Sequence, residues 1–254
     1  MFSSNPFKQK KYKLTGGIRS GAPVPTPYAY WSMDTVDLTG ATLADNGTEG
    51  LDATLVGDTS LVAGGQVNEE ADFDGTGDYI TVPTFLIGPG GVSDPIPFSV
   101  SVWATWDSLQ ENSRIIDFAR LTRGTILDNI TLYNSGTTGD LSLTVYENIT
   151  PGPTLQAVGS IITGTRMHIV ATISLTGDAS IYVNGSLATN GAVEPVRSII
   201  RSSNYIGRSN FFGASSDQDF DGKIDELAIW DVELGQSQVT DLYKLGNNGN
   251  RIVT

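Results

Sequence analysis

The stretch FSVSVWATW, residues 98–106, alternates without a break. Phe98, Val100, Val102, Ala104 and Trp106 share one side of an extended chain, and Ser99, Ser101 and Trp103 share the other. A period of two with one strongly apolar side predicts a strand with one buried face. Nine further short runs rich in β-branched and aromatic residues follow the same habit between turn residues: DYITVP, RIIDFA, ILDNITLY, LSLTVYEN, LQAVGSII, MHIVATISL, ASIYVNG, NYIGR and KIDELAIW. No helical period separates them, which excludes the βαβ rhythm of a parallel sheet, and no repeat period appears. The expected fold is therefore all-β, an antiparallel two-sheet jelly-roll sandwich. One helix is expected, late in the chain: GQSQVTDLYKLGNNG spaces Val239, Leu242 and Leu245 by threes, with Gly246 placed to end it.

Charge divides the chain at its start. The first 33 residues hold Lys8, Lys10, Lys11, Lys13 and Arg19 with no acid, which leaves 10 basic residues against 28 acidic ones, a net of −18 for the remainder. An acidic body of this kind repels nucleic acid and anionic membranes, both of which are gripped through Lys and Arg. Residues 14–27, LTGGIRSGAPVPTP, read as an extended Gly/Pro-rich linker, so the expected division is a basic arm over 1–27 and one jelly-roll domain over 28–254. The arm is expected to dock on an acidic protein surface: another protein, a second copy of this chain, or its own body. The chain has no cysteine, which excludes disulfides, thiolate metal sites and cysteine nucleophiles. No apolar run is long enough for a membrane span, and MFSSNPFKQKKYKL lacks the apolar core of a signal peptide.

The segment SSDQDFDGKIDELAIWD opens like a calcium-binding EF-hand loop, with Asp217, Asp219, Asp221 and Gly222 at positions 1, 3, 5 and 6. Position 12 is Ala228, which offers no oxygen, and no helix signal precedes the loop. The alternative is an acidic turn leading into a core strand. His168 is the single histidine, and within RMHIVATIS it reads as a strand residue with a structural role. Phe211 and Phe212 stand together in the polar loop GRSNFFGASSD. A simple strand cannot bury two adjacent side chains, so one of them is a candidate anchor for a partner. The acids of DFDGTGDY (Asp72, Asp74 and Asp78) read as a turn before they read as a metal cluster.

Taken in order, YWSMD, DFDGTGDYITVP, FSVSVWATW, RMHIVATIS, ASIYVNGSLA, NYIGR and FDGKIDELAIWDVELGQSQVTDLYKLG resemble the laminin G-like branch of the concanavalin A-like lectin/glucanase jelly rolls, over about residues 28–246. The resemblance implies a final strand followed by a short helix, which favours the strand reading of the Asp-rich segment. It also implies a structural Ca²⁺ near the chain ends, held by Asp225 and, nearby, Asp34. The glucanase branch carries a Glu-x-Asp-x-x-Glu strand whose carboxylates share one face; no such strand occurs here, so no enzymatic activity is expected. Carbohydrate binding needs an aromatic platform on a concave face, and Trp103, on the minority face of its strand, is the candidate. A fold type usually found outside cells, a basic arm and no export signal are reconciled by a virion surface protein of a bacteriophage. In that setting, capsid decoration or tail fibre, the arm lysines dock on the particle and the jelly roll faces outward, in reach of host glycans. The alternative is a free lectin-like module, extracellular by another route; a glycan hydrolase is the third reading.

Overall fold

The computed structural model describes residues 22–88, 95–211 and 217–253. The arm residues Lys8, Lys10, Lys11 and Lys13, and Phe212, lie outside them. Two large antiparallel sheets dominate. One runs in the order Ser186–Ala192, Asp178–Val183, Met167–Ile173, Phe98–Trp106, Asp221–Trp230, Glu69–Asp74, Ser60–Ala63, with Ala29–Trp31 also paired to Asp221–Trp230. The other runs Thr150–Ala157, Leu141–Glu147, Thr125–Asn134, Arg114–Thr122, Ser203–Ile206, Tyr79–Val82, Ala53–Val56, Thr42–Leu43, Leu38–Thr39. This is the two-sheet sandwich that the alternating runs predict.

The main core lies between the sheets. Phe98, Val100, Val102, Ala104 and Trp106 all enter it, opposite Ile116, Phe118, Ile130, Leu132 and Leu143 from the facing sheet. The other side of Phe98–Trp106 is buried as well, so all nine residues of that strand are covered. A second, smaller core explains this: Tyr30, Val170, Tyr182, Ala228 and Trp230 on the outer face meet Leu234, Val239 and Leu242 at the C-terminal helix, Gln236–Asn247. Val24, Ile252 and Val253 pack against the same cluster. The expected linker is thus tied down at its far end, where Pro25 and Pro23 carbonyls accept from Trp230 Nε1 (2.9 Å) and Gln238 Nε2 (3.0 Å).

The Asp-rich segment is a loop entering the core strand Asp221–Trp230, not an EF-hand. Each of its acids has a separate partner: Asp217 meets Arg114 (2.7 Å), Asp219 meets Arg208 (3.2 Å), and Asp221 accepts from Ser108. Within the strand, Glu226 adopts φ 51° at a register shift against Ser101 and Trp103. Such a bulge turns two successive residues to one side. It also marks where the strand changes neighbour, from Glu69–Asp74 to Ala29–Trp31. Among the described residues no helix is long and apolar enough to cross a membrane.

Candidate functional site

The nine-stranded sheet presents a polar outer face whose residues follow from register alone. Thr54 lies opposite Thr81, Thr81 opposite Tyr205, Tyr205 opposite Asp117, and Asp117 opposite Thr131; the row continues through Thr144 to Thr154. Their sequence neighbours Ile80, Ile116, Phe118, Ile130, Leu132, Leu143 and Ile206 point into the core. The next row sets Arg114 opposite Tyr133, and Tyr133 opposite Ser142. Two tyrosines, Tyr133 and Tyr146, thus occupy the polar phase of strands that otherwise fill it with Thr, Ser and Asn.

Residues 207–211 fold across this face as a ridge. Asn210 holds it down: its backbone N–H donates to Asp117 Oδ2 (2.9 Å) and its Nδ2 to Asp117 Oδ1 (2.9 Å). Asn129 Nδ2 donates to the same carboxylate (2.6 Å). Ser209 Oγ donates to Asp217 Oδ2 (2.8 Å), which also accepts from Arg114 Nη2 (2.7 Å). The ridge leaves an open cleft on either side. One, of about 370 Å³, lies against Leu121, Ile126, Tyr205 and Arg208. The other, of about 410 Å³, is lined by Asn112, Arg114, Tyr133, Tyr146, Ile149, Pro151, Phe211 and Asp217.

The second cleft combines apolar surfaces with a fixed polar floor. Phe211 lies 5.7 Å from the Tyr146 ring, tilted by 38°, and the Arg114 guanidinium sits 4.1 Å over Tyr133. Ile149 stands 68% exposed at the rim. Arg114 is only 4% exposed and lies between two carboxylates, Asp217 at 2.7 Å and Asp117 at 4.0 Å. Burial pushes the Asp117 carboxyl up and the Tyr146 hydroxyl up, with Arg114 opposing both. A flat sugar ring needs an aromatic face for its C–H side and amides, hydroxyls or charged groups for its rim, and this cleft offers both within one wall.

Of the residues singled out from sequence, Phe211 belongs to this cleft, as does Asp217, the first acid of the EF-hand-like stretch. Trp103 is no platform: it is 5% exposed, stacked on Tyr243 of the C-terminal helix (5.7 Å, 26°) and packed against His168 (4.9 Å). The helix covers the face on which it was expected to stand free. His168 is structural, as expected. Its Nε2 meets Ser101 Oγ at 2.9 Å, and burial lowers its pKa to about 3, so it is neutral.

Asp34 and Asp225, the pair expected to hold calcium, are both buried near the chain ends, and each has protein partners of its own. Asp34 accepts from Glu69 N–H (3.0 Å), Asn68 Nδ2 (3.1 Å) and Arg251, whose guanidinium takes the place of a cation. Asp225 Oδ2 accepts from Val67 N–H (3.1 Å), while Oδ1 has no hydrogen-bond partner. Calcium requires six to eight oxygens; N–H donors take up Asp34, and one takes up Asp225 Oδ2. The neighbouring Glu226 accepts from Tyr30 Oη (2.6 Å) and Ile252 N–H (3.3 Å). In DFDGTGDY the turn reading fits Asp78, which accepts from Asp58 and Asp74 N–H. Asp58, Asp74 and Asp78 bring carboxylate oxygens within 4.8 Å of one another, whereas Asp72 leaves the group to pair with Lys223 (3.3 Å).

The sequence reading does not single out Arg114, Tyr133 or Tyr146, and it names Asp217 only as an acid of the EF-hand-like stretch. A legible signal existed for the tyrosines: in NITLYN and LSLTVYE each aromatic falls in step with Thr, Ser or Asn, not with the apolar phase. Nothing local signals Arg114 or its pairing with Asp217, which spans 103 positions.

Solved structures share this architecture. Domain 4 of AbnA, an extracellular GH43 arabinanase from Geobacillus stearothermophilus, solved with arabinotriose, superposes with a TM-score of 0.65 at 23% identity, covering 86% of this chain and 98% of that one. The binding domain of botulinum neurotoxin serotype G gives 0.61 at 17% identity, covering 86% and 50%. The serotype D ligand-binding domain, solved with N-acetylneuraminic acid, gives 0.60 at 14%, again covering 86% and 50%. The chain spans about half the length of these toxin domains. No curated protein matches it. The laminin G family model of the concanavalin A-like lectin/glucanases superfamily matches residues 74–240. With two large antiparallel sheets and the final strand and helix in place, the chain belongs to the concanavalin A-like lectin/glucanases superfamily.

Proposed function

We propose that this protein is a non-enzymatic carbohydrate-binding domain, and that the cleft between the 207–211 ridge and the Leu141–Glu147/Thr150–Ala157 hairpin receives an oligosaccharide. The observation that carries the reading is the aromatic wall of Tyr133, Tyr146 and Phe211 beside Asn112, Arg114 and Asp217. Solved relatives hold arabinotriose or N-acetylneuraminic acid on the same fold, which supports a glycan as ligand class. Hydrolysis finds no support in the cleft: Asp117 is fully buried, and Asp217 is committed to Arg114 and Ser209. A general acid must reach the glycosidic oxygen, and a sealed carboxylate does not.

The virion surface reading rests on the basic arm and the missing export signal. The arm lysines lie outside the described residues, and neither the fold nor the solved relatives support a particle role. A glycan array probed with the intact protein tests the carbohydrate reading. Wild type binds a subset of glycans, and Tyr146→Ala loses roughly tenfold or more in affinity for them while keeping the wild-type melting temperature within a few degrees. A Tyr146→Ala protein that binds as well as wild type contradicts this placement of the site.

A further inference from the structure

The charges around the cleft go further than the carbohydrate reading on which this inference rests. We propose that the cleft selects uncharged oligosaccharides and rejects their sialylated or uronate-bearing counterparts. A carboxylate on a ligand must be matched by a cation that is not already spent, because a desolvated unpaired charge is costly.

Arg114 is the only cation lining this cleft among the described residues, and the undescribed segment 212–216, FGASS, contains none. Asp217 engages the Arg114 guanidinium at 2.7 Å, Asp117 stands 4.0 Å away, and the ring of Tyr133 covers one face at 4.1 Å. Asp217 already balances the one guanidinium, so the floor of the cleft offers no net positive charge. The Arg114 Nε and Nη1 atoms, which have no hydrogen-bond partner, are buried, and the residue as a whole is 4% exposed. At the hairpin rim Glu147 is 58% exposed, and the nearby cation Arg197 already faces Asp128 (3.5 Å) as well as Glu147 (3.8 Å). Beyond the cleft, 10 basic residues against 28 acidic ones after residue 33 add a long-range negative field. An anionic sugar therefore meets repulsion at a distance and, among the described residues, no exposed unpaired cation on contact. A neutral sugar needs only the aromatic faces of the wall and the hydroxyl groups of Tyr133 and Tyr146.

The test is an array of matched pairs, each neutral oligosaccharide printed beside its sialylated or uronic-acid counterpart, probed with the intact protein at about 0.1 M and about 1 M salt. Neutral members are expected to bind about tenfold or more tightly than their partners at the lower salt. The ratio shrinks at the higher salt, where the screening length falls from about 10 Å to about 3 Å. Asp217→Asn, which removes one negative charge from the floor, narrows the ratio at low salt; the salt comparison needs no variant and stands if that protein fails to fold. Anionic members bound as well as or better than neutral ones at low salt overturn the inference and leave the carbohydrate reading intact. Silence across the array from a folded sample overturns both.

Discussion

Asp225 and Glu226 show what single residues contribute to this fold. The bulge at Glu226 turns both acids to the buried side, where Arg251 is the cation, already engaged with Asp34 and Asp37. Burial, with the charge of Glu226 adding to it, pushes the Asp225 carboxyl up to about 9; burial pushes Glu226 up to about 8. Both values lie above the roughly 4 of an unfolded chain. The folded state therefore keeps protons that the unfolded state releases, and stability falls as pH rises from about 4 to about 9. Burial raises Glu70, Asp78, Asp117 and Asp219 too, in the same direction. The melting temperature is expected to drop between pH 5 and pH 8.5, and Asp225→Asn to flatten that slope and exceed wild type at pH 8.5. A melting temperature that rises over this range contradicts the assignment. Calcium or a chelator in the same melts is expected to change nothing; a calcium-dependent rise lost in Asp225→Asn would restore the metal implied by the family resemblance. The family resemblance singles out Asp225 as a calcium ligand near the chain ends, not as a buried acid that keeps its proton. The sequence conceals Arg251, because a cation 217 positions from Asp34 leaves no local pattern.

At the scale of elements, the C-terminal helix lies where its apolar spacing predicts but stops later than the sequence suggests. Gly246 looks like a helix terminator, yet the helix runs to Asn247, and the left-handed glycine is Gly249 at φ 68°. Gly246 is small for a tertiary reason: a Cβ there would stand 2.5 Å from Trp103 Nε1 and 2.9 Å from Cε2. Replacing a helical glycine by alanine ordinarily stabilises by about 1 kcal/mol. Here the indole is wedged between Tyr243 and His168 and has nowhere to go. Gly246→Ala is expected to destabilise by about 1–3 kcal/mol, seen as a lower denaturation midpoint; a stabilised variant would show that the helix can slide. The strand Phe98–Trp106 was bounded correctly because its alternation is unbroken. The sequence predicts a strand only from Leu155, because TPGPT reads as a turn, whereas the strand runs Thr150–Ala157. It pairs on one side only, with Leu141–Glu147, and an edge strand tolerates the missing N–H of Pro151 and Pro153.

For the whole molecule, the two-sheet sandwich follows from the order of its alternating runs, and the family match confirms it. The site does not follow so directly. Its wall comes from Tyr133 and Tyr146 on neighbouring strands and from Phe211 on a loop far along the chain, so it exists only once the ridge has folded over the sheet. Trp103 was expected there because its strand alone cannot reveal that a helix 140 positions later will cover it. Amide hydrogen exchange of the intact protein, with and without the glycan it binds best, tests the central claim most directly. Slowed exchange at residues 131–134, 144–151 and 207–211, with the opposite sheet unchanged, is the expected result. Protection confined to the Ser186–Ala192 edge or to the C-terminal helix would contradict the account.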